Sequence, residues 1–293
     1  MNIAIFGINF DPAFIPNLDK LFILLKQRNV GIYMYKPFFE LMKSTAGKAP
    51  AIEGLFISGN ELPDSVRYFF SIGGDGTFLK SILIVKKKSI PVIGINSGRL
   101  GFLSAISRDD MEDAVNDVLD GVYEIEERSV LQVDGVVDLF GDFNYALNEI
   151  TVTKMDSSSM INIHTYLNDE YLTTYWADGL IISTPTGTTA YSLSVGGPIL
   201  TPDSENVLIT PIAPHNLTMR PIVIPDRNVL TLRVEGRGQQ FLASLDSRSE
   251  AVNFPGEISI RKADFQVKTL KLQGHGFFST LRNKLMWGTD RRN

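Results

Sequence analysis

One short stretch limits the fold of this chain more than any other. An apolar run at residues 68–72 is followed at once by Gly73-Gly74-Asp75-Gly76-Thr77, and then by residues 78–85 at helical spacing. A buried strand that turns through glycines straight into a helix is the unit from which parallel α/β sheets are built. The neighbouring segments agree. Residues 2–8, 31–35 and 91–95 read as strands, and residues 17–27 place Leu18, Leu21, Leu24 and Leu25 at helical spacing. Residues 38–42 suit a helix, and the basic run Lys86, Lys87 and Lys88 closes the 78–85 helix where cations suit its dipole. The β-α-β-α order predicts an α/β N-terminal domain with a parallel sheet over residues 1–104.

The pattern changes after a helix-like stretch at 110–118. Short alternating segments then dominate: 129–133, 145–152, 161–167, 171–176, 180–183, 207–212, 229–234, 240–245 and 265–272. Many short strands with few helices predict a β-rich C-terminal domain, a sandwich or other antiparallel assembly, over 105–276. The amphipathic tail, 277–293, is expected to dock back on the first domain.

Composition narrows the chemistry. Hydrophobic residues make up 44% of the 293 and charged residues 21%, which fits a packed core with little disorder. The formal net charge of −5 argues against a nucleic-acid binder or an anionic-membrane binder, both of which need a basic footprint. With no cysteine, thiolate metal sites, disulfides and cysteine nucleophiles are excluded. The start of the chain does not read as a signal peptide and no apolar run is long enough to span a bilayer, so the expected setting is cytoplasmic. His164, His215 and His275 are spaced in a way that suggests no metal centre, and no protein metal ligands are assigned.

Three clusters carry the functional reading. In the first, glycines let a ligand approach the backbone, and free N–H groups at a helix start attract phosphate. An acid inside such a loop repels phosphate, so Asp75 makes sense as a holder of a divalent cation or as an acceptor for the proton of an attacking hydroxyl. The bland alternative is a tight turn with a solvated aspartate. The loop is neither a Walker A sequence nor a Gly-x-Gly-x-x-Gly fingerprint. In the second cluster, Asn148-Glu149 sits within an otherwise apolar strand, so at least one polar group points inward, where ligand hydroxyls would satisfy it. An edge strand with two solvated side chains is the alternative. In the third, Asp178 opens a stretch to Pro198 that is dense in hydroxyls and glycines, with no charge between Asp178 and Asp203. Hydroxyls and main-chain N–H groups can hold phosphate and ribose, Tyr191 can stack on a base, and a mobile Ser/Thr loop is the competing reading.

These pieces together resemble the NAD kinase family over nearly the whole chain. The resemblance rests on GGDGT at 73–77, INSGRLGFL at 95–103, LNE at 147–149, DGLIISTPTGTTAYSLSVGGPIL at 178–200, TPIAPHNLTMRPIVIP at 210–225 and LRNKLMWG at 281–288. It implies a two-domain fold with the active site between the domains, and a homodimer or homotetramer. It also implies transfer of the γ-phosphoryl group of ATP, or of polyphosphate, to the 2′-hydroxyl of the adenosine ribose of NAD, with a divalent cation, usually Mg2+, as cofactor. By motif, Asp75 matches the catalytic aspartate, with Gly74, Gly76 and Thr77 in the nucleotide loop and Lys80 where some members use a basic residue. Asn148 and Glu149 match dinucleotide contacts, and Asp178 matches the acid before Gly-Leu. Thr189, Ala190, Tyr191, Ser192, Leu193 and Ser194 match the adenosine segment, and Ala213 falls near the nicotinamide-side wall. Two positions depart from many bacterial relatives: Trp176 stands where they have arginine, and the run Asp246-Ser247-Arg248 lacks their glutamine. Arg248 is a competing source of the charge that Trp176 lacks. A lipid or sphingoid kinase sharing the GGDGT loop, and a dinucleotide sensor without transfer, are the rival readings.

Overall fold

The computed structural model describes residues 1–47, 49–98, 100–135, 140–155 and 159–288. Two compact units are present: Met1–Glu127 together with Val267–Asn293, and Arg128–Gln266. In sequence the second unit is an insertion into the first.

The first unit begins with strands β1 (Asn2–Gly7), β2 (Gly31–Tyr35), β3 (Gly54–Phe56), β4 (Val66–Ile72), β5 (Val92–Ile95) and β6 (Glu124–Arg128). Its helices are α1 (Ile15–Gln27), α2 (Lys36–Ala46), α3 (Asp75–Val85) and α4 (Met111–Asp120). The second unit holds β7 (Leu131–Asp134), β8 (Tyr145–Ala146), β9 (Glu149–Lys154), β10 (Ile161–Leu167), β11 (Glu170–Ala177) and β12 (Gly179–Ser183). After a short helix, α5 (Tyr191–Ser194), it continues with β13 (Asn206–Ile212), β14 (Ile222–Pro225), β15 (Leu230–Glu235), β16 (Gln240–Leu245), β17 (Arg248–Asn253) and β18 (Gly256–Lys262). The chain then returns to the first unit as β19 (Val267–Lys271) and α6 (Phe277–Leu285).

The first sheet runs β3-β2-β1-β4-β5-β19-β6, with parallel pairing from β3 through β19. Its central strands are apolar along their length, as strands covered on both faces must be: Ile3, Ile5, Phe70, Ile72, Ile93 and Ile95 are all buried. On one face Leu18, Leu21 and Leu25 of α1 share a core with Met111, Val115 and Val118 of α4.

The second unit packs two antiparallel six-stranded sheets around one core. Their orders are β11-β10-β15-β18-β7-β8 and β14-β13-β12-β9-β16-β17. Alternate residues face inward, as the two-residue period of a strand requires: Ile163, Leu232 and Ile258 come from one sheet, and Ile150, Leu180 and Ala243 from the other.

The unit boundaries differ from those read in the sequence. A break at 104/105 would assign α4 and β6 to the second domain, yet α4 completes the core over α1, and Arg28, which caps the C-terminus of α1, pairs with Asp120 of α4. The segment 265–272, read as a strand of the second domain, pairs instead with β5 in the first sheet, Thr269 opposite Val92. The tail helix α6 lies in the first unit.

Candidate functional site

In the first unit, β4 ends at Ile72 and the glycine loop turns into α3. Gly73 has φ +148°, and a Cβ there would stand 2.4 Å from the Thr77 hydroxyl, so backbone and packing both demand glycine. Gly74 and Gly76 differ: a Cβ at either meets no atom of the described residues within 4 Å, and both are exposed. The loop therefore keeps two bare backbone positions open at a helix N-terminus.

Asp75 is held by the turn at 101–104. Its Oδ1 accepts N–H bonds from Leu103 and Ser104, each at 2.9 Å, and its Oδ2 accepts one from Phe102 at 2.9 Å. This clasp explains a glycine of the 95–103 motif, because a Cβ on Gly101 would sit 2.0 Å from Oδ1. The Lys284 ammonium of α6 lies 3.4 Å from Oδ2. Thr77 is buried and packs against Gly73, whereas Lys80 is exposed on α3 and makes no ion pair among the described residues.

In the second unit, the peptide groups at 147–149 wrap around Asp246, the first residue of the β16–β17 turn. Its carboxylate accepts N–H bonds from Leu147 (2.9 Å), Asn148 (2.8 Å) and Glu149 (3.2 Å), and its own N–H donates to the Glu149 carbonyl at 3.0 Å. Asp246 adopts φ +52° to do so. The hydroxyl-rich segment closes on the same residues. The Thr184 N–H donates to the Asn148 carbonyl at 2.9 Å, and the Thr184 hydroxyl donates to the Leu147 carbonyl at 2.6 Å. Gly187 approaches so closely that a Cβ would stand 2.1 Å from the Asn148 carbonyl oxygen.

This packing leaves three polar atoms buried without a partner among the described residues: Asn148 Oδ1, Glu149 Oε2 and Thr186 Oγ1. Buried polar atoms are normally paired, so these three atoms are candidates for hydrogen bonds from a ligand or from water. Burial, and then the charge of Asp246, push the Glu149 pKa from 4.5 up to about 8, with the Tyr191 N–H pulling it down. Burial also raises Asp246, against the N–H bonds from 147–149 and the charge of Arg248, which lower it.

The remaining expected residues lie in the same unit. Thr189 donates its hydroxyl to the Thr186 carbonyl at 3.1 Å, and Ala190 links it to Tyr191, which is 42% exposed with its ring available for stacking. Ser192 is buried, with its hydroxyl 2.9 Å from that of Thr210, so it is structural; Leu193 is half-buried and Ser194 exposed. Asp178 pairs with Lys154 at 2.6 Å. Ala213 is exposed with φ +43°, next to Ile212, whose carbonyl accepts the Asp178 N–H. Trp176 stacks on His215 with centroids 4.2 Å apart. The Arg248 guanidinium donates to the carbonyls of Phe143 and Tyr145, which commits it to the 143–145 backbone.

Sequence reasoning missed the roles of Asp246 and Lys284. Asp246 reads as a hairpin turn between two strands, and Lys284 as one cation on an amphipathic tail. The described residues contain no group of three or more His, Asp or Glu side chains able to hold a metal ion. With three N–H bonds on its carboxylate, Asp75 fits a divalent cation only as one ligand beside oxygens that a bound nucleotide would bring.

Comparison with known proteins gives two family models, the second running past Gln266 into β19 of the first unit. A family model described as the ATP-NAD kinase N-terminal domain matches residues 60–123, and one described as the ATP-NAD kinase C-terminal domain matches 147–272. The NAD kinases of Bacteroides fragilis, Flavobacterium psychrophilum and Cytophaga hutchinsonii are 47%, 44% and 42% identical to this chain, each match covering all of both proteins. Among solved structures, yeast NADH kinase complexed with NADH matches with a TM-score of 0.87 at 21% identity, covering 99% of this chain and 88% of that one. An NAD kinase from Archaeoglobus fulgidus in complex with ATP matches at 0.73 and 24%, covering 98% of each. These two likenesses define the class: proteins that join a parallel α/β unit to an antiparallel β unit. The family models and the full-length relatives then settle the membership, and the chain belongs to the ATP-NAD kinase family.

Proposed function

We propose that this protein is an NAD kinase, transferring the γ-phosphoryl group of ATP to the 2′-hydroxyl of the adenosine ribose of NAD and releasing NADP and ADP. The observation that carries the reading is the glycine loop, where the Asp75 carboxylate is fixed by three N–H bonds beside two glycines with open backbone. In the transfer, the 2′-oxygen forms a bond to the γ-phosphorus as the bond from the γ-phosphorus to the β–γ bridging oxygen breaks. The transition state is loose, so positioning and charge neutralisation matter more than a strong base. Gly74 and Gly76 offer backbone N–H groups to the donor phosphates. Asp75 orients the attacking hydroxyl and takes its proton late in transfer. Asn148, Glu149 and Thr186 offer their unpaired atoms to the acceptor's hydroxyls, and Tyr191 offers a stacking face. A divalent cation, Mg2+ in this reading, neutralises phosphate charge when bound with the nucleotide.

The polar second cluster favours a nucleoside acceptor over a lipid, and Asp75 favours transfer over sensing. No helix of the described residues is long and apolar enough to cross a membrane. A homodimer or homotetramer and a cytoplasmic setting belong to the same proposal. Edge strand β14 supports the assembly by exposing Ile222 and Val223, and edge strand β11 by exposing Tyr171 and Trp176. Incubating the purified chain with ATP, Mg2+ and NAD, and detecting NADP with an NADP-specific dehydrogenase, tests the function. Absence of NADP from a folded preparation refutes it.

A further inference from the structure

Helix α6 places one face against the turn that clasps Asp75. Phe277, Leu281 and Lys284 fall at i, i+4 and i+7, the spacing of a single helical stripe. Leu281 is buried, and the Phe277 ring lies 6.4 Å from that of Phe102. At the end of this stripe the Lys284 ammonium stands 4.7 Å from the centre of the Phe102 ring and 3.4 Å from Asp75 Oδ2. An aromatic face and a carboxylate thus hold one cation at the N-terminus of α3. The surroundings need that charge. A nucleotide's phosphates are polyanionic, the chain carries a net charge of −5, and the loop itself contributes the negative Asp75. Lys80, the basic residue expected from the sequence, is exposed on α3 without an ion pair among the described residues.

We propose that Lys284 binds the donor's phosphates, so that the C-terminal helix completes the nucleotide site; this rests on the kinase reading above. Without nucleotide the ammonium rests on Asp75 and Phe102, and with nucleotide it turns its N–H groups to phosphate oxygen. That movement also frees Asp75 Oδ2 for the acceptor hydroxyl, so one lysine couples donor binding to readiness of the acid. A lysine stem is flexible enough for such a shift and its ammonium carries three donors.

The test is calorimetry with ATP and Mg2+ in the absence of NAD, on wild type, Lys284→Met, Lys284→Arg and Lys80→Ala. Lys284→Met keeps the apolar stem over Phe102 while removing the charge. It is expected to weaken ATP binding about tenfold or more, as loss of a charge-assisted hydrogen bond does, and to flatten the dependence of affinity on salt. Lys284→Arg is expected to restore most of the affinity. NAD binding, measured separately, stays within about twofold in all of them. ATP affinity within twofold of wild type in Lys284→Met overturns the proposal, and so does a larger loss in Lys80→Ala than in Lys284→Met. Because the readout is ATP binding, it stands apart from turnover: failure to form NADP counts against the kinase reading, and an unchanged ATP affinity counts against Lys284.

Discussion

Glu149→Gln is the substitution whose consequence the structure specifies most fully. Glu149 opens β9 at 8% exposure, with Oε2 lacking a partner among the described residues and the Tyr191 N–H on the carboxyl. Burial and the neighbouring Asp246 carry its pKa to about 8. Burial raises Asp246 as well, but its three N–H bonds and the nearby Arg248 charge oppose that shift, whereas the Glu149 carboxyl has the Tyr191 N–H against it. With that value, about nine-tenths of Glu149 is protonated at pH 7 and about one-tenth at pH 9. A protonated carboxyl donates a hydrogen bond and a carboxylate cannot. If the acid donates to a ribose hydroxyl, the Kd for NAD is flat from pH 6 to 7 and weakens about tenfold by pH 9. Glutamine keeps a donor of similar shape and does not titrate, so Glu149→Gln binds NAD at nearly wild-type strength at pH 7 with a flat alkaline profile. The sign for stability is the same. A carboxyl raised on folding favours the native state most below its unfolded pKa of 4.5, and that advantage is lost at about 1.4 kcal/mol per pH unit as pH rises to about 8. The assays are calorimetric NAD titrations across pH 6–9 and the 13C carboxyl resonance of Glu149, assigned by its loss in the variant. A carboxyl that titrates near 4.5, or identical alkaline profiles in wild type and variant, refutes the assignment of the proton.

Other expectations follow from the same contacts. Asp75→Asn abolishes turnover and leaves NAD affinity largely intact; near-wild-type kcat in a folded variant contradicts its catalytic role. Asn148→Ala weakens NAD binding by about 1–3 kcal/mol while changing ATP binding little, because Oδ1 has no partner among the described residues; unchanged NAD affinity removes it from the site. Gly101→Ala drives a methyl to within 2.0 Å of the Asp75 Oδ1 position, so kcat falls steeply while NAD affinity holds; an unchanged kcat denies the clasp its role. Trp176→Arg is expected to strengthen inhibition by NADPH by adding a cation where the family resemblance implies one; unchanged inhibition means that Trp176 only packs on His215. Arg248→Ala does not relieve that inhibition, since its guanidinium is spent on the Phe143 and Tyr145 carbonyls; relief in that variant returns the 2′-phosphate to Arg248.

Periodicity made the α/β unit legible wherever an element carried its own apolar pattern. Residues 17–27, 31–35 and 68–72 became α1, β2 and β4 with shifts of at most two residues at either end. Strands with little apolar content escaped notice: β6 is Glu-Ile-Glu-Glu-Arg, and β17 is the edge strand Arg-Ser-Glu-Ala-Val-Asn, whose pairing rests on backbone bonds to β16. The unit boundary escaped for another reason. Strand β19 is an ordinary short strand in sequence, and nothing local distinguishes a partner in the parallel sheet from one in the antiparallel sheets. The chemistry divided in the same way. Glycine loop, Asn-Glu pair and hydroxyl segment are contiguous and readable. Asp246 acts on residues 97–99 positions away and Lys284 on one 209 positions away, so their roles depend on tertiary pairing.

The central claim is that phosphate passes from ATP to the 2′-oxygen of NAD. Phosphorus NMR of the wild-type reaction with ATP, Mg2+ and NAD tests it most directly, run beside the same reaction with 2′-deoxyadenosine-NAD. A new phosphomonoester resonance on the adenosine ribose, growing as ADP appears and absent with the deoxy compound, is the expected result. ADP formation without that resonance, or the resonance appearing on the deoxy acceptor, contradicts the account.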